Sequence, residues 1–270
     1  MDRARLKTFV LMLLVLINLT FLSLIAIDAL QMARLQSEVR AELVRALAGM
    51  DVSIDESQIP REEEQALYFL SRDTLQEGRI AATVLGGTAT ASDEGGGIFR
   101  YLGLEGDGEG EIRSGTFRFQ LESQELNEES IGQILRQLEL STRDSRIFVE
   151  KGDNRVIHVY PLTFDNALVI NGHLTFTFCF QAGMLQEVSG TALWGNAQRY
   201  PSGPQMDVTT ALISLAGHLL ERGGVSRFES VEMGYYLVEG TGLLELRPIW
   251  IVQTDVGVFS IDRQSGEIRS

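Results

Sequence analysis

An uninterrupted apolar stretch from Phe9 to Ile27 constrains this chain more than any other feature. Its nineteen residues carry no charge, and their polar side chains are those of Asn18, Thr20 and Ser23. At about 1.5 Å rise per residue, a helix of this length spans the ~30 Å hydrocarbon core of a bilayer. The stretch is longer than the apolar core of a signal peptide, about 7–15 residues. The pattern therefore predicts a retained helix that crosses a membrane once.

The charges on the two sides of this stretch differ. Arg3, Arg5 and Lys7 precede it, whereas Asp28 follows it directly. Positively charged flanks remain on the cytoplasmic side of a membrane. The sequence thus predicts a single-pass protein of the cell membrane, with a cytoplasmic N-terminus and an extracytoplasmic C-terminal domain.

The polar residues inside the apolar stretch are candidate partner contacts. A carboxamide in a bilayer gains about 0.6–2 kcal/mol when it hydrogen-bonds to a neighbouring helix. On that ground Asn18, with Thr20 and Ser23, is a candidate contact with the helix of a partner. The alternative, that a single Asn is merely tolerated in the span, stays open.

Composition limits the partners that the rest of the chain can take. The formal net charge is −14 and the hydrophobic fraction is 44%. An acidic surface repels nucleic acid, so no nucleic-acid partner is expected. The single cysteine, Cys179, excludes an intramolecular disulfide, and the outer part must be held together by its apolar core.

Changes in composition divide the chain into six predicted segments. Heptad-like spacing after the apolar stretch predicts an amphipathic helix that ends near Gly49, and a short helix is expected around 62–71. Glycine-punctuated apolar runs over 80–121 predict a small antiparallel sheet, in which Gly106 to Gly110 forms a hairpin turn. The segments are a cytoplasmic tail (1–7), the anchor (8–29), a juxtamembrane helix and linker (30–60), a Gly-rich β module (61–123) and two α+β modules (124–200 and 201–270).

The last two segments show the same order of elements with a period of roughly 75–80 residues. Each begins with a helix, at 127–140 and 207–220, and the second is capped by Asp207. Strands follow at 147–150, 156–164, 168–180 and 184–188 in the first copy, and at 228–238, 243–254 and 256–262 in the second. Period-two alternation in these strands is typical of a sheet with one packed face. The predicted fold class is α+β: an N-terminal transmembrane helix followed by tandem modules with a helix on an antiparallel sheet.

Residue patterns that catalysis or metal binding require were not found in the sequence. His158, His173 and His218 are far apart and lack metal-ligand spacing. No nucleophile elbow, zinc-protease or redox cysteine motif occurs. Carboxylates are numerous enough to leave a glycosidase-like pair open. We expect a protein that is not an enzyme and that has no cofactor and no metal.

The two ends of the chain resemble a known family of regulators. The apolar stretch contains Leu-Val-Leu-Ile-Asn-Leu, from Leu14 to Leu19. Near the C-terminus, Gly-Tyr-Tyr is followed by Leu-Arg-Pro-Ile-Trp-Ile-Val and then by Ile-Asp-Arg-Gln-Ser-Gly-Glu-Ile. This order resembles the YycI/YycH regulators that accompany the WalK/WalR (YycG/YycF) two-component system, with YycI the nearer match. The Gly-rich region has no counterpart in that pattern.

The resemblance implies a fold and a function. Such proteins are non-enzymatic and have PepSY-like α+β exterior modules. They contact a WalK-like sensor histidine kinase and a YycH-like paralogue at the membrane, as homo- or heterodimers, and so tune cell-wall metabolism. The family-motif residues, expected to be structural, are Tyr235, Pro248, Trp250, Asp262 and Gly266. The alternative is an extracytoplasmic PepSY-like module that binds a ligand or inhibits a protease.

Overall fold

The computed structural model of the chain describes residues 3–270 with several gaps. The residues outside this description are 62, 86, 104–107, 114, 122–145, 152–153, 161, 180–184, 194, 222–226 and 240–242. The predicted helix at 127–140 and residues 106 and 107 of the predicted turn at 106–110 therefore lie outside the described residues, whereas Gly108 to Gly110 lie in a strand. The six predicted segment boundaries stay predictions.

The described chain alternates a few helices with many strands. The helices are α1 (Arg3–Ala48), α2 (Thr74–Val84) and α3 (Val208–Leu220), with a 3₁₀ helix at Glu56–Gln58. The strands are β1 (Ser53–Ile54), β2 (Leu67–Ser71), β3 (Ala89–Gly95), β4 (Ile98–Gly103), β5 (Gly108–Arg113), β6 (Thr116–Leu121), β7 (Arg146–Lys151), β8 (Asn154–Tyr160), β9 (Leu162–Phe164), β10 (Ala167–Val169), β11 (Leu174–Cys179), β12 (Leu185–Thr191), β13 (Asn196–Tyr200), β14 (Arg227–Glu239), β15 (Leu243–Thr254), β16 (Gly257–Asp262) and β17 (Ile268–Arg269).

These strands form two sheets. Sheet A has the order β13-β2-β15-β14-β10-β9, and β1, β16 and β17 pair beside this path. Sheet B has the order β3-β4-β5-β6-β12-β11-β8-β7. Sheet B is antiparallel throughout, whereas in sheet A both β1 and β10 run parallel to β14.

The predicted fold class is wrong. The protein is mostly β-sheet, with 47% strand and 29% helix, instead of a series of α+β modules. The physical reason lies in how the strands pair. In sheet B, β6 of the Gly-rich region pairs with β12 of the first repeat copy, so neither segment completes a sheet of its own. Repeat-like patterning predicts strands, but it does not specify which strands pair.

The predicted single-pass anchor is overturned as well. Within the part of the chain that the structure describes, no helix has the length and apolar character needed to cross a membrane. This finding contradicts the predicted membrane localisation and the membrane-spanning part of the fold. The helix α1 runs from Arg3 to Ala48, and its end agrees with the predicted stop near Gly49.

Local predictions succeeded in the second repeat copy and failed around β2. The helix α3 begins as predicted, with the Asp207 carboxylate accepting a hydrogen bond from Thr210 N at 2.7 Å. The segment 62–71, predicted as a helix, contains strand β2, which pairs with β15 and β13. The helix α2 was missed, although Asp73 caps its N-terminus through Leu75 N and Gln76 N.

Two hydrophobic cores hold these elements together. The first core joins sheet A, sheet B and α2. The second core packs α3 and the end of α1 against sheet A. β14 and β15 contribute to both from one face of their hairpin, since Leu237 lies opposite Leu246 in the first core and Met233 opposite Trp250 in the second.

A buried ion pair connects the start of α2 to sheet B. Arg72 lies between β2 and α2, and its Nε is 2.8 Å from Glu77 Oε1, with side-chain exposures of 16% and 5%. The same guanidinium donates hydrogen bonds to the carbonyls of Gly97 and Ile112 and lies 4.3 Å from the centre of the Phe99 ring. One side chain thus ties the β2–α2 connection to strands β4 and β5.

Replacing Arg72 by Ala should destabilise the fold by about 3–5 kcal/mol, because the buried Glu77 carboxylate then lacks its partner. Equilibrium unfolding in urea measures the loss. The control is Arg118→Ala, whose pair with Glu187 is exposed, at 67% and 27%, and should change stability by no more than about 1 kcal/mol. Equal effects of the two substitutions would contradict the structural role of the buried pair.

Candidate functional site: a groove beside β14

A groove of about 520 Å³ lies where the chain enters β2, facing β14 and the β9–β10 hairpin. The segment before β2 supplies one wall, and the hairpin tip with the middle of β14 supplies the other. Its lining residues are Pro60, Glu63, Glu64, Gln65, Ala66, Tyr68, Asp165, Asn166, Ala167, Arg199, Val231, Glu232, Met233 and Tyr235.

The groove forms because one edge of β15 pairs with β2 before Pro248 and with β16 after it. β15 pairs with β2 from Leu243 to Leu246, and with β16 from Ile249 to Thr254. Proline has no N–H group to donate to a ladder, so it suits the point where one neighbouring strand replaces another. The chain preceding β2 therefore separates from β15 here, and Gln65 Nε2 bridges the space by donating to Gly234 O at 3.0 Å.

On the side of β14 that faces away from β15, the pairing with neighbouring strands is interrupted beside the groove. β1 pairs with β14 up to Phe228, and β10 pairs with it from Gly234 onwards. Between these points the described residues provide no strand for that side of β14. Val231, Glu232 and Met233 line the groove within this interval. The chain itself covers this interval, because Val231 is 4% exposed and the 3₁₀ helix Glu56–Gln58 lies against β14.

Three aromatic rings pack together at one end of the groove. The ring centre of Tyr68 lies 5.1 Å from that of Phe164 and 5.9 Å from that of Tyr235, and Phe164 lies 5.9 Å from Tyr235. All three pairs meet edge to face, the arrangement that aromatic quadrupoles favour. Tyr235 is 3% exposed, so its ring is a rigid part of the wall.

The tip of the β9–β10 hairpin brings a carboxylate to these rings. Phe164 pairs with Ala167, which leaves a two-residue turn of Asp165 and Asn166 with φ angles of 51° and 62°. Positive φ at both central residues is typical of a type I′ turn, which matches the twist of a hairpin. Tyr68 Oη donates a hydrogen bond to Asp165 Oδ2 at 3.2 Å.

Both tyrosine hydroxyls are kept protonated. Burial is the main cause that raises the pKa of Tyr235, to about 12, and it outweighs the opposing hydrogen bond with Gln65. The pKa of Tyr68 is raised first by desolvation and then by the negative charge of Asp165. At neutral pH both groups are therefore hydrogen-bond donors and uncharged rings.

The charged side chains that line the groove are mostly acidic. Glu63, Glu64, Asp165 and Glu232 carry carboxylates, against the single guanidinium of Arg199 among the lining residues. Aromatic faces beside carboxylates attract cations, since ring quadrupoles and negative charge act in the same sense. The groove is therefore suited to a positively charged group.

Four of the predicted motif residues, Pro248, Trp250, Asp262 and Gly266, lie around Arg263 behind the groove, where Arg263 N donates to Pro248 O at 3.0 Å. Trp250 is fully buried, its Nε1 donates to Met206 O at 3.0 Å, and Arg263 Cζ lies 4.4 Å from the ring centre. The Asp262 carboxylate accepts from the backbone N of the second and third residues after it, at 2.8 and 3.0 Å. Gly266 closes this turn with φ +74°, and a Cβ there would lie 2.8 Å from Met206 Cε.

Arg263 connects this motif cluster to the wall of the groove. It is 1% exposed, and its Nη2 donates to Glu63 O at 3.1 Å. Gln65 is held on its other side, because its backbone carbonyl accepts from Ser202 Oγ at 3.0 Å and from Gln205 Nε2. The predicted motif residues are thus brought together with the groove, with Tyr235 in its wall and the others behind it.

The other predicted contact residues lie elsewhere, on α1. Asn18 Nδ2 donates to Leu14 O at 2.9 Å, and Thr20 Oγ1 donates to Leu16 O at 2.9 Å. Ser23 Oγ donates to Thr20 O at 2.8 Å. These donors are used within their own helix, and the contacts predicted for them with a partner stay predictions.

Sequence reasoning missed Tyr68, Asp165, Arg199 and Arg263 as site residues. The Asp-Asn dipeptide between two apolar runs was a readable signal for a two-residue hairpin. Tyr68 was hidden because its segment was predicted as a helix. Arg263 belongs to the C-terminal motif, but the sequence does not indicate that this charged residue is buried.

A second concavity, of about 510 Å³, lies over the polar face of sheet B. Two of its three arginines have local partners, since Arg100 lies 3.3 Å from Glu109 and Arg118 lies 3.3 Å from Glu187. Across the described residues, no group of three or more His, Cys, Asp or Glu is placed to hold a metal ion. The groove beside β14 is distinguished from this face by its interrupted ladder and its aromatic wall.

Comparisons with known proteins give limited information. A scan against family models and a search of curated proteins found no match. An uncharacterized protein from Eubacterium rectale is similar with a TM-score of 0.47 at 10% identity, over 77% of this chain and 86% of that one. The YpeB C-terminal domain of Bacillus megaterium has a TM-score of 0.35 at 8% identity, over 74% and 97%. Both TM-scores are below 0.5, so neither likeness assigns a fold family to this chain, and YycI itself is not supported.

Ionisation of Tyr235 should be delayed in the native protein. Its pKa is raised above the ordinary value of 10, so the stability that it contributes is complete below pH 10 and is lost as pH rises towards about 12. The difference in phenolate absorbance between the native chain and Tyr235→Phe should therefore appear near pH 12. A difference that titrates near pH 10 would contradict the burial of this hydroxyl, and Tyr200→Phe, at an exposed tyrosine, is the control.

Proposed function

We propose that this chain is a non-enzymatic regulator that acts by protein–protein contact, with the groove beside β14 as the surface that receives its partner. The observation that carries the proposal is an acidic groove with a packed aromatic wall of Tyr68, Phe164 and Tyr235. Aromatic side chains in a concave surface are typical anchors of protein–protein contacts. The proposal requires no membrane anchor, because every part of the groove lies beyond α1.

The partner that we propose follows the family resemblance. It is a sensor histidine kinase of the WalK type, in a two-component system that controls cell-wall metabolism, with a YycH-like paralogue as a second partner. This identification rests on the C-terminal motif, and the comparisons add nothing to it. The motif residues stabilise one wall of the groove. They would therefore affect the contact with the partner indirectly, by holding that wall in position.

A ligand-binding or protease-inhibitory module is the second candidate. The volume of the groove, about 520 Å³, lies in the range of about 300–1,000 Å³ typical of small-molecule sites. Its combination of tyrosine hydroxyls, carboxylates and one guanidinium could orient a polar ligand. Saturable binding of such a ligand by the purified chain, without any contact to a kinase, would favour this candidate.

Site-specific photo-crosslinking tests the proposed partner. A benzoylphenylalanine replaces Glu232, an exposed strand residue that lines the groove, in the full chain expressed in its own cells. We expect a crosslinked product that contains the sensor kinase, identified by mass spectrometry. The control position is Val258, which is 47% exposed on strand β16 and is not among the groove residues.

Equal crosslinking of the kinase from both positions would contradict a specific contact at the groove. Absence of the kinase from both products would reject it as the partner. A product from position 232 that contains a protease instead would favour the second candidate.

A further inference from the structure

A glutamate followed two positions later by an arginine recurs at three strands of this protein. The pairs are Glu245 with Arg247 on β15, Glu267 with Arg269 at β17, and Glu111 with Arg113 on β5. Residues two apart in a strand lie on the same face, roughly 6.6 Å from each other along the strand. Each pair is therefore placed to form an ion pair.

Two of the three pairs are closed. Arg247 Nε lies 2.9 Å from Glu245 Oε1, and Arg247 Nη2 lies 3.0 Å from Glu245 Oε2. Arg269 donates to both carboxylate oxygens of Glu267 through the same two nitrogens. This fork of two parallel hydrogen bonds is the geometry that suits a guanidinium and a carboxylate. The spacing is thus sufficient for an ion pair on the strands of this protein.

The third pair, Glu111 and Arg113, is open. Both residues are exposed and line the concavity of about 510 Å³ over the polar face of sheet B. Among the residues that the structure describes, neither of these side chains takes part in an ion pair. The open pair therefore presents a carboxylate and a guanidinium next to each other in a concave surface.

The arginines on the neighbouring strands do not close this pair. Arg100 and Arg118 lie directly opposite Glu111 in the register. Arg100 instead forms a diagonal ion pair with Glu109 at 3.3 Å, and Arg118 forms one with Glu187 at 3.3 Å. Glu109 and Glu187 are level with each other, since both lie opposite the same residue of β6. Both arginines therefore lean towards one end of the concavity, away from the open pair.

The other end of the concavity offers hydrogen-bond donors beside Arg113. Thr116 lies opposite Arg113 on β6, and Thr191 lies opposite Thr116 on β12. His173 continues this row, because its carbonyl accepts from Thr191 N at 2.8 Å. Thr116 and His173 both line the concavity. Their hydroxyl and imidazole groups are placed to donate to an anionic group that binds Arg113.

A ligand with two opposite charges matches the open pair in both charge and length. A carboxylate fits the guanidinium fork of Arg113, and an ammonium group donates to the carboxylate of Glu111. An extended dipeptide with free ends separates these two groups by roughly 7 Å, since each residue spans about 3.3–3.6 Å. This length equals the spacing of the two side chains along β5, whereas a single amino acid is too short to reach both.

We propose that the concavity over sheet B binds a small zwitterionic peptide, a dipeptide with free ends, whose carboxylate contacts Arg113 and whose ammonium group contacts Glu111. The bound dipeptide bridges the two charges that the open pair leaves apart. The inference goes beyond the proposed function, because neither residue lines the groove beside β14.

Calorimetric titration of the full chain with three sets of dipeptides tests the inference. All sets contain the dipeptides built from glycine, alanine and serine, each titrated separately, and the sets differ only in their ends. The ends are free in the first set, N-acetylated in the second and C-amidated in the third. We expect a free dipeptide to bind, and its two capped forms to bind about tenfold more weakly, because each lacks one charged hydrogen-bonding group. Absence of binding by every free dipeptide, or equal binding by a capped form, would overturn the proposal.

Two substitutions assign the ends of the ligand. Glu111→Gln should weaken the free dipeptide to the level of its N-acetylated form, and Arg113→Gln should weaken it to the level of its C-amidated form. The control is Glu245→Gln, which removes the same charge from a closed pair outside the concavity and should leave binding unchanged. Equal effects of Glu111→Gln and Glu245→Gln would contradict the site. An unchanged preference for free over N-acetylated ends in Glu111→Gln would contradict the assigned orientation.

Discussion

The hairpin of β14 and β15 is the element on which the rest of the structure depends, because one of its faces runs through both hydrophobic cores. Leu237 and Leu246 pack with sheet B and α2, whereas Met233 and Trp250 pack with α3 and the end of α1. Burial of apolar surface is the main stabilising contribution to folding. A single pair of strands therefore couples the stability of the two hydrophobic cores.

Pro248 and Arg263 shape the groove beside this hairpin. Pro248 ends the pairing of β15 with β2, and the chain before β2 separates to form the groove wall. Arg263, buried on the Trp250 ring, donates to the backbone of that wall. A buried guanidinium requires its hydrogen bonds and its ring contact to offset lost hydration, so it holds its neighbours in one geometry. The motif thus stabilises the groove from behind, and Tyr68 and Asp165 form its accessible surface.

Local elements could be predicted from the sequence where their determinants are local. For the Asp207 cap, the apolar stripe of α3 and the alternation in β11 and β15, the residues that determine each feature lie within a few positions of one another. The strand β2 was predicted as a helix because its partners, β13 and β15, are more than a hundred residues away. Strand propensity depends strongly on such tertiary neighbours. The groove could not be predicted, since it consists of contacts between segments that are distant in sequence.

The sequence by itself determined the position of several helices and strands, the acidic surface, and the motif that contains Pro248, Trp250 and Asp262. These features depend on periodicity, capping and charge, which act over short distances along the chain. Tertiary structure alone decided the pairing into two sheets, the burial of Arg263 and the interrupted ladder of β14. The apolar stretch at the N-terminus shows the limit most clearly, because its pattern predicted a spanning helix that the described structure does not contain. Pairing and burial are decided by the whole fold, and no local pattern specifies them.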